Sequence, residues 1–144
     1  MVSNEHVVKV RWSEADPAGI VFYPRFFEWF DLATEALFDA LGLPWPVIFP
    51  KYRVVGVPIV ESGARFVAPV RYGDEVRIRS TITAVREKTF RVEHEVSVGC
   101  THCASGFEVR AWVALPETPG GRLRARPLPE EIAQKLEGGG TSTT

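Results

Sequence analysis

Residues 24–42 read PRFFEWFDLATEALFDALG, and this stretch decides the fold. Pro24 suits a first helical position, because its φ is already fixed and the N–H it lacks would be unpaired there anyway. Phe26, Phe27, Phe30, Ala33, Leu37, Phe38 and Leu41 then recur at helical spacing, and Gly42 marks the stop. One long helix with a wide apolar stripe is expected, and something large must cover it.

The rest of the chain supplies the cover. Val8, Val10 and Trp12 alternate with Lys9 and Arg11, which predicts a short first strand. Residues 43–52, LPWPVIFPKY, read as a Pro-rich irregular connection. Residues 57–67 are extended but imperfect, with Gly63 at a bulge or a close approach. Three cleaner strands follow. Val76, Ile78, Ser80, Ile82 and Ala84 form one apolar row, and Phe90, Val92, His94, Val96 and Val98 form the next. In the third, Phe107, Val109, Ala111, Val113 and Leu115 alternate with an outward row of Glu108, Arg110 and Trp112. Turns at 86–88 and 101–103 join these three as antiparallel hairpins. Strands with a single apolar face make a sheet that is covered on one side only. The expectation is an α+β fold, an antiparallel sheet wrapped around one long central helix. It is expected to occupy residues 1–137 as one domain, with a disordered Gly/Ser/Thr-rich tail at 138–144.

A chain of 144 residues with 45% hydrophobic and 24% charged residues has the size and composition for one well-buried core. Its net charge of −1 argues against nucleic-acid or membrane-surface binding through bulk charge. No apolar run approaches the roughly 20 residues of a membrane span, and the first ten residues lack the features of a signal peptide. Two cysteines are too few for a disulfide framework, so a cytoplasmic setting is expected. Residues 100–103, CTHC, offer three potential metal ligands, but a structural zinc site draws four, usually from two separated pairs. They read as a hairpin tip.

The sequence contains no G-x-S-x-G motif and no glycine-rich phosphate loop opening a helix. His6 lies near the terminus and His102 on the hairpin tip, while His94 falls on an apolar strand face and reads as a hydrogen-bonded core histidine. Glu28, Asp31 and Glu35 lie on the helix, where most carboxylates are solvated or paired. Asp16 differs. It lies in EADPAGIVFYP, residues 14–24, just before a helix N-terminus whose unpaired N–H groups around Tyr23 can polarise a carbonyl oxygen. A carboxylate beside a ready oxyanion hole has the parts needed to hydrolyse an acyl compound. The residues alone leave a second reading open, with Asp16 as a turn former beside Pro17 and Gly19.

The stretch VRWSEADPAGIVFYPRFFEWFD, residues 10–31, resembles the 4-hydroxybenzoyl-CoA thioesterase family of hotdog-fold proteins, in its Pseudomonas-type branch. The likeness continues through GVPIVESGARFVAPVRYGDEVRI, residues 56–78, and the 86–90 turn to about Leu128. It implies a subunit that pairs sheets edge to edge as a homodimer, assembling to a homotetramer with active sites between subunits. It implies Asp16 as nucleophile or general base and the Tyr23 N–H as oxyanion donor. The acyl group would lie against the helix start of one subunit and the GVPIV strand of its neighbour, with Gly19, Asp31, Val57, Pro58 and Ile59 binding substrate. Coenzyme A phosphates would meet Arg86, Lys88 and Arg124. No metal or redox cofactor is implied, since coenzyme A is part of the substrate.

Two positions depart from the branch. Glu87 sits between Arg86 and Lys88 where the branch tends to be more basic, and Val57 is apolar where a hydroxyl can occur. The resulting expectation is hydrolysis of an aromatic acyl-CoA of 4-hydroxybenzoyl or benzoyl type, favoured by Phe22, Tyr23, Phe26 and Phe27 beside the site. The alternatives are a thioesterase for short aliphatic acyl-CoA and a non-catalytic acyl-CoA-binding module. A hotdog dehydratase would need a histidine at the helix entrance, where this chain has Asp16.

Overall fold

A computed structural model describes residues 1–138, so all but the first residue of the expected tail lies outside the described residues. The elements in chain order are β1 (Ser3–Lys9), α1 (Pro24–Ala40), α2 (Trp45–Tyr52), β2 (Val54–Gly56), β3 (Ile59–Phe66) and β4 (Glu75–Val85). They continue with β5 (Thr89–Val98), β6 (Thr101–Ala111), β7 (Val113–Ala114), β8 (Arg124–Ala125) and α3 (Glu130–Glu137).

The expected architecture is present. An antiparallel five-stranded sheet in the order β1-β4-β5-β6-β3 curves over α1, and β2-β7-β8 form a small second sheet. The helix buries Phe26, Trp29, Phe30, Ala33, Thr34, Leu37 and Phe38, one continuous stripe at helical spacing. Its N-terminal half packs with Val10, Val21, Val76, Ile78 and Val96. Its C-terminal half packs with Ile82, Phe90, Val92 and Trp112, and with Ile132 and Leu136 of α3. No single helix among the described residues is long and apolar enough to cross a membrane.

Gly106 shows how closely the helix approaches the sheet. A Cβ there would run into the ring of Phe30, a fully buried side chain. Gly106→Ala is therefore expected to destabilise the fold by about 1–3 kcal/mol, the usual cost of overpacking, and a denaturant titration checks it. Gly63 is likewise a close approach, because its Cβ would lie 2.9 Å from Phe107. The register shift in β3 falls earlier, between Ile59 and Glu61.

Four sequence readings need correction. β1 begins at Ser3, and Trp12 belongs to a 3-10 turn, Trp12–Glu14, where it is exposed. The strand starts early because Asn4 and His6, polar but half-buried, continue the row of Val8 against β4. Residues 43–52 are not irregular throughout but contain α2. Pro46 occupies its first turn, where no N–H is needed, and Ile48 anchors it in the core. The β5–β6 turn is Gly99–Cys100, with Gly99 at φ 58°, so Thr101, His102 and Cys103 are strand residues.

The fourth correction concerns the face of β6. Val96, His94, Val92 and Phe90 pair with Ala104, Gly106, Glu108 and Arg110, which puts that even-numbered row inward. Glu108 and Arg110 are buried, while Phe107 and Val109 are half-buried on the opposite face. Trp112, assigned outward with them, is also buried. Two charges can sit there because each finds partners inside.

Candidate active site

The loop before α1 is a small hairpin. Ala15 bridges Val21, the Asp16 N–H donates to the Ile20 carbonyl at 2.8 Å, and the Gly19 N–H returns to the Asp16 carbonyl at 2.9 Å. Gly19 closes the turn at φ 83°, which glycine adopts without a Cβ clash. The Ala18 N–H donates to Asp16 Oδ1 at 2.8 Å, so Asp16 does form the Asx turn that a turn residue would. Its second oxygen has no partner among the described residues. Asp16 lines a cavity of about 330 Å³ with Trp12, Ala15, Pro17, Gly19 and Tyr72.

The returning arm delivers the helix start. The Phe22 N–H donates to the Glu14 carbonyl, and the Arg25 and Phe26 N–H groups donate to the carbonyls of Phe22 and Tyr23. Tyr23 already has helical angles, φ −55° and ψ −32°, and its N–H has no acceptor among the described residues. It is thus a free donor at the positive end of a 17-residue helix. Tyr23 borders a mainly apolar cavity of about 360 Å³ with Ile20, Phe26, Phe66, Val67 and Pro69. Asp16 and Tyr23 occupy the two arms of one hairpin but open onto neighbouring hollows.

Asp31 and Val57 are joined by Arg110, a residue the sequence reading placed on the wrong face. Arg110 Nη2 meets Asp31 Oδ1 at 2.6 Å, and Nη1 donates to the Val57 carbonyl at 2.9 Å. Its Nε and Nη2 donate to the Glu108 carboxylate at 3.2 and 3.0 Å. Glu108 Oε1 also accepts the Thr34 hydroxyl at 2.5 Å and lies 3.3 Å from His94 Nε2. His94 Nδ1 sits 2.7 Å from Ser80 Oγ, and the ring stacks on Phe30 at 4.7 Å. His94 is the hydrogen-bonded core histidine expected. Burial alone would push the Glu108 carboxyl up. The His94 hydrogen bond, the Arg110 charge and its hydrogen bonds, and that of Thr34 outweigh burial and hold it at about 2. The signal in the sequence was two opposite charges two residues apart on a strand, and hence on one face.

The remaining expected residues lie elsewhere on the chain. Pro58 is exposed and offers its carbonyl to the Ala111 N–H, and Ile59 opens the exposed edge strand β3. Arg86 and Lys88 are exposed in the β4–β5 turn. The Leu128 N–H donates to the Glu87 carbonyl at 2.8 Å, which draws the segment after Arg124 against that turn. Arg124 itself lines a cleft with Arg122 and Arg126. Neither the Asp16 cavity nor the Tyr23 cavity is lined by Val57, Pro58, Ile59, Arg86, Lys88 or Arg124. Within one chain the two groups of residues do not meet. Of the CTHC residues, Cys103 faces the core and Cys100 is exposed.

Residues 10–136 match the model of the thioesterase-like superfamily. The chain is 32% identical over 133 residues to the 4-hydroxybenzoyl-CoA thioesterase of Pseudomonas sp. (strain CBS-3), covering 88% of this chain and 92% of that one. It is 28% identical over 123 residues to the 1,4-dihydroxy-2-naphthoyl-CoA hydrolase of Synechococcus sp. (strain WH7803), covering 76% and 80%. The crystal structure of a 4-hydroxybenzoyl-CoA thioesterase variant with 4-hydroxybenzoyl-CoA bound gives a TM-score of 0.86 at 30% identity, over 94% of this chain and 99% of that one. A gentisyl-coenzyme A thioesterase structure gives 0.78 at 32% identity, over 90% and 98%. With sequence and fold in agreement over nearly their whole length, the chain belongs to the 4-hydroxybenzoyl-CoA thioesterase family and is a hotdog-fold thioester hydrolase.

Proposed function

We propose that this protein hydrolyses an aromatic acyl-CoA to the free acid and coenzyme A, with Asp16 as nucleophile or general base. The observation that carries the reading is the hairpin of residues 14–23. It leaves one carboxylate oxygen of Asp16 and the N–H of Tyr23 without partners among the described residues, at the approach to a long helix. The Tyr23 N–H takes the developing oxyanion as the thioester carbonyl is attacked. Asp16 attacks the carbonyl carbon itself or takes a proton from the attacking water. In the first route the C–S bond breaks to leave a mixed anhydride on Asp16, which one water then cleaves to the acid and the free carboxylate. In the second the water adds directly and the C–S bond breaks. In both the departing thiolate takes up a proton. No cofactor is invoked beyond the coenzyme A of the substrate. An aromatic acyl group is supported by Phe22, Tyr23, Phe26 and Phe27 around the helix start and by the aromatic acyl groups in the names of its relatives. The complex of one such relative with its substrate was formed by an aspartate-to-asparagine variant, which fits chemistry that needs an aspartate. Free thiol released from 4-hydroxybenzoyl-, benzoyl- and short aliphatic acyl-CoA tests the reading. Equal or faster turnover of the aliphatic esters would remove the aromatic assignment, and no release from any would favour the binding module.

The site is completed by a second chain. β3 is an edge strand with Ile59, Val60 and Phe66 exposed, and such edges are covered or paired. Pairing brings Val57, Pro58 and Ile59 of one subunit, with Asp31 tied to Val57 through Arg110, towards Asp16, Gly19 and Tyr23 of the other, as a homodimer that assembles to a homotetramer. Light scattering at micromolar concentration is expected to give a dimer or larger. An active 16.0 kDa monomer would sink the shared site. Free cysteines at 100 and 103 fit a reducing, cytoplasmic setting.

Arg86, Lys88 and Arg124 are assigned to the coenzyme phosphates. Arg86→Ala or Lys88→Ala is expected to raise KM more than it lowers kcat, with an effect that shrinks at high salt. A truncated thioester without the nucleotide should be insensitive to both substitutions. Equal losses on both substrates would move the coenzyme site elsewhere, and Glu87 between them makes the comparison informative.

A further inference from the structure

The arm that carries Asp16 is fastened to α1 through Glu14. Glu14 Oε1 accepts the Arg11 N–H at 2.8 Å, and Oε2 accepts the indole N–H of Trp29 at 2.9 Å. Trp29 is buried on the second turn of α1. The backbone carbonyl of Glu14 accepts the N–H of Phe22, the residue immediately before Tyr23. One residue therefore links the arm with Asp16, the arm with Tyr23 and the helix behind both.

The hairpin closes itself through Ala15, Val21, Asp16 and Ile20, but those bonds are internal and fix no orientation against α1. Among the described residues the Asp16 side chain bonds only to Ala18, within the same turn. The returning arm is held separately, by the Val21 N–H on the Val70 carbonyl and by the Ile20–Arg71 bridge. On the Asp16 arm the side-chain tether to the helix is the Glu14–Trp29 hydrogen bond. A charged acceptor makes a shorter and stronger bond than a neutral one, which suits a joint that must hold an angle.

We propose that Glu14, braced by Trp29, is a positioning residue for the thioester chemistry. It sets where the Asp16 carboxylate stands relative to the Tyr23 N–H, without touching the substrate. The inference rests on the role proposed for Asp16. It goes beyond that role by naming what holds the two reacting partners in register. A misplacement of about 1 Å can cost about 10²-fold in rate, so a loosened tether appears in kcat.

The experiment uses Glu14→Ala, Glu14→Gln, Trp29→Phe, the Glu14→Ala/Trp29→Phe double variant and Asp16→Asn. All are assayed well below their melting temperatures. Glu14→Ala and Trp29→Phe are each expected to lower kcat by about 10- to 100-fold, with KM within about threefold of wild type. The double variant should be no slower than the slower single, since both remove one joint. Glu14→Gln, which keeps an acceptor for Trp29, should recover part of the loss. Should Glu14→Ala fail to fold, Trp29→Phe and Glu14→Gln decide the matter in the same way. A kcat within twofold of wild type in folded Trp29→Phe and Glu14→Gln, with Asp16→Asn inactive, would leave Glu14 a structural anchor and overturn the inference. So would a rise in KM at unchanged kcat. An active Asp16→Asn would instead overturn the role of Asp16, and the positioning role with it.

Discussion

Asp16→Asn is expected to give a folded oligomer that binds acyl-CoA with near wild-type affinity and turns over at least about a hundredfold more slowly. The substitution suits the question because it separates the turn that Asp16 forms from the catalytic role proposed for it. Its Oδ1 accepts the Ala18 N–H, and an asparagine carbonyl can do the same. Pro17 and the left-handed Gly19 remain, so the turn survives. The Tyr23 donor is a backbone group and survives as well. Only the charge is lost. General-base assistance is worth about 10²–10⁴ in rate, and a lost nucleophile can cost more. The measurement is kcat for hydrolysis of 4-hydroxybenzoyl-CoA or benzoyl-CoA, alongside melting and binding of a non-hydrolysable analogue. Retention of more than a tenth of wild-type kcat would make Asp16 a turn residue and return the assignment to Glu28, Asp31 or Glu35. The structure already constrains that fallback. Glu28 is paired with Arg25 at 3.1 Å and Asp31 with Arg110 at 2.6 Å, whereas Asp16 meets no cation within bonding distance among the described residues.

What was legible in the sequence was local. Pro24, the apolar stripe and Gly42 declare α1, because helix start, face and stop are all written within nineteen consecutive residues. The turn that links Asp16 to the helix start at Tyr23 was legible for the same reason, the two residues being seven apart around Pro17 and Gly19. The inward face of β6 was not. Phe107, Val109 and Ala111 present a sound apolar alternation, and local pattern favours turning them in. They do not all turn in, because the register is set by β5. There His94 pairs with Gly106, where the backbone must come close enough to accept the ring of Phe30. The charges of Glu108 and Arg110 then enter the core. They are tolerated because Thr34 and Asp31 arrive from α1, His94 from β5 and the Val57 carbonyl from the β2–β3 connection. Those partners are between 14 and 79 residues away in sequence. No window short enough to read a strand contains them.

That same network yields the largest stability effect expected of a single side chain outside the proposed catalytic pair. Arg110→Ala leaves the buried carboxylate of Glu108 without its charge partner and frees Asp31 and the Val57 carbonyl at once. Breaking a buried ion pair from one side costs about 3–5 kcal/mol, so a fall in melting temperature on the order of 10 °C is expected. The sign of the pH dependence follows from Glu108. Its carboxyl is lowered from 4.5 to about 2 in the folded state. The stabilisation it contributes is therefore fully present above the unfolded value near 4.5 and is lost as pH falls towards about 2. By linkage the shift amounts to about 3 kcal/mol. Without Arg110, burial pushes the Glu108 carboxyl back up and the acid transition should move to higher pH. Glu108→Gln keeps hydrogen-bonding capacity towards Thr34 and His94 but removes the titrating charge, so its stability should be flatter between pH 2 and 4.5. The double variant Arg110→Ala/Glu108→Gln should be more stable than the sum of the single losses, because the stranded charge is gone. Denaturant titrations of the four proteins at pH 7 and at pH 3 provide the comparison. Additive losses, or an unmoved acid transition in Arg110→Ala, would show that Arg110 stabilises by packing alone and that Asp31 and Val57 are held in place by other contacts.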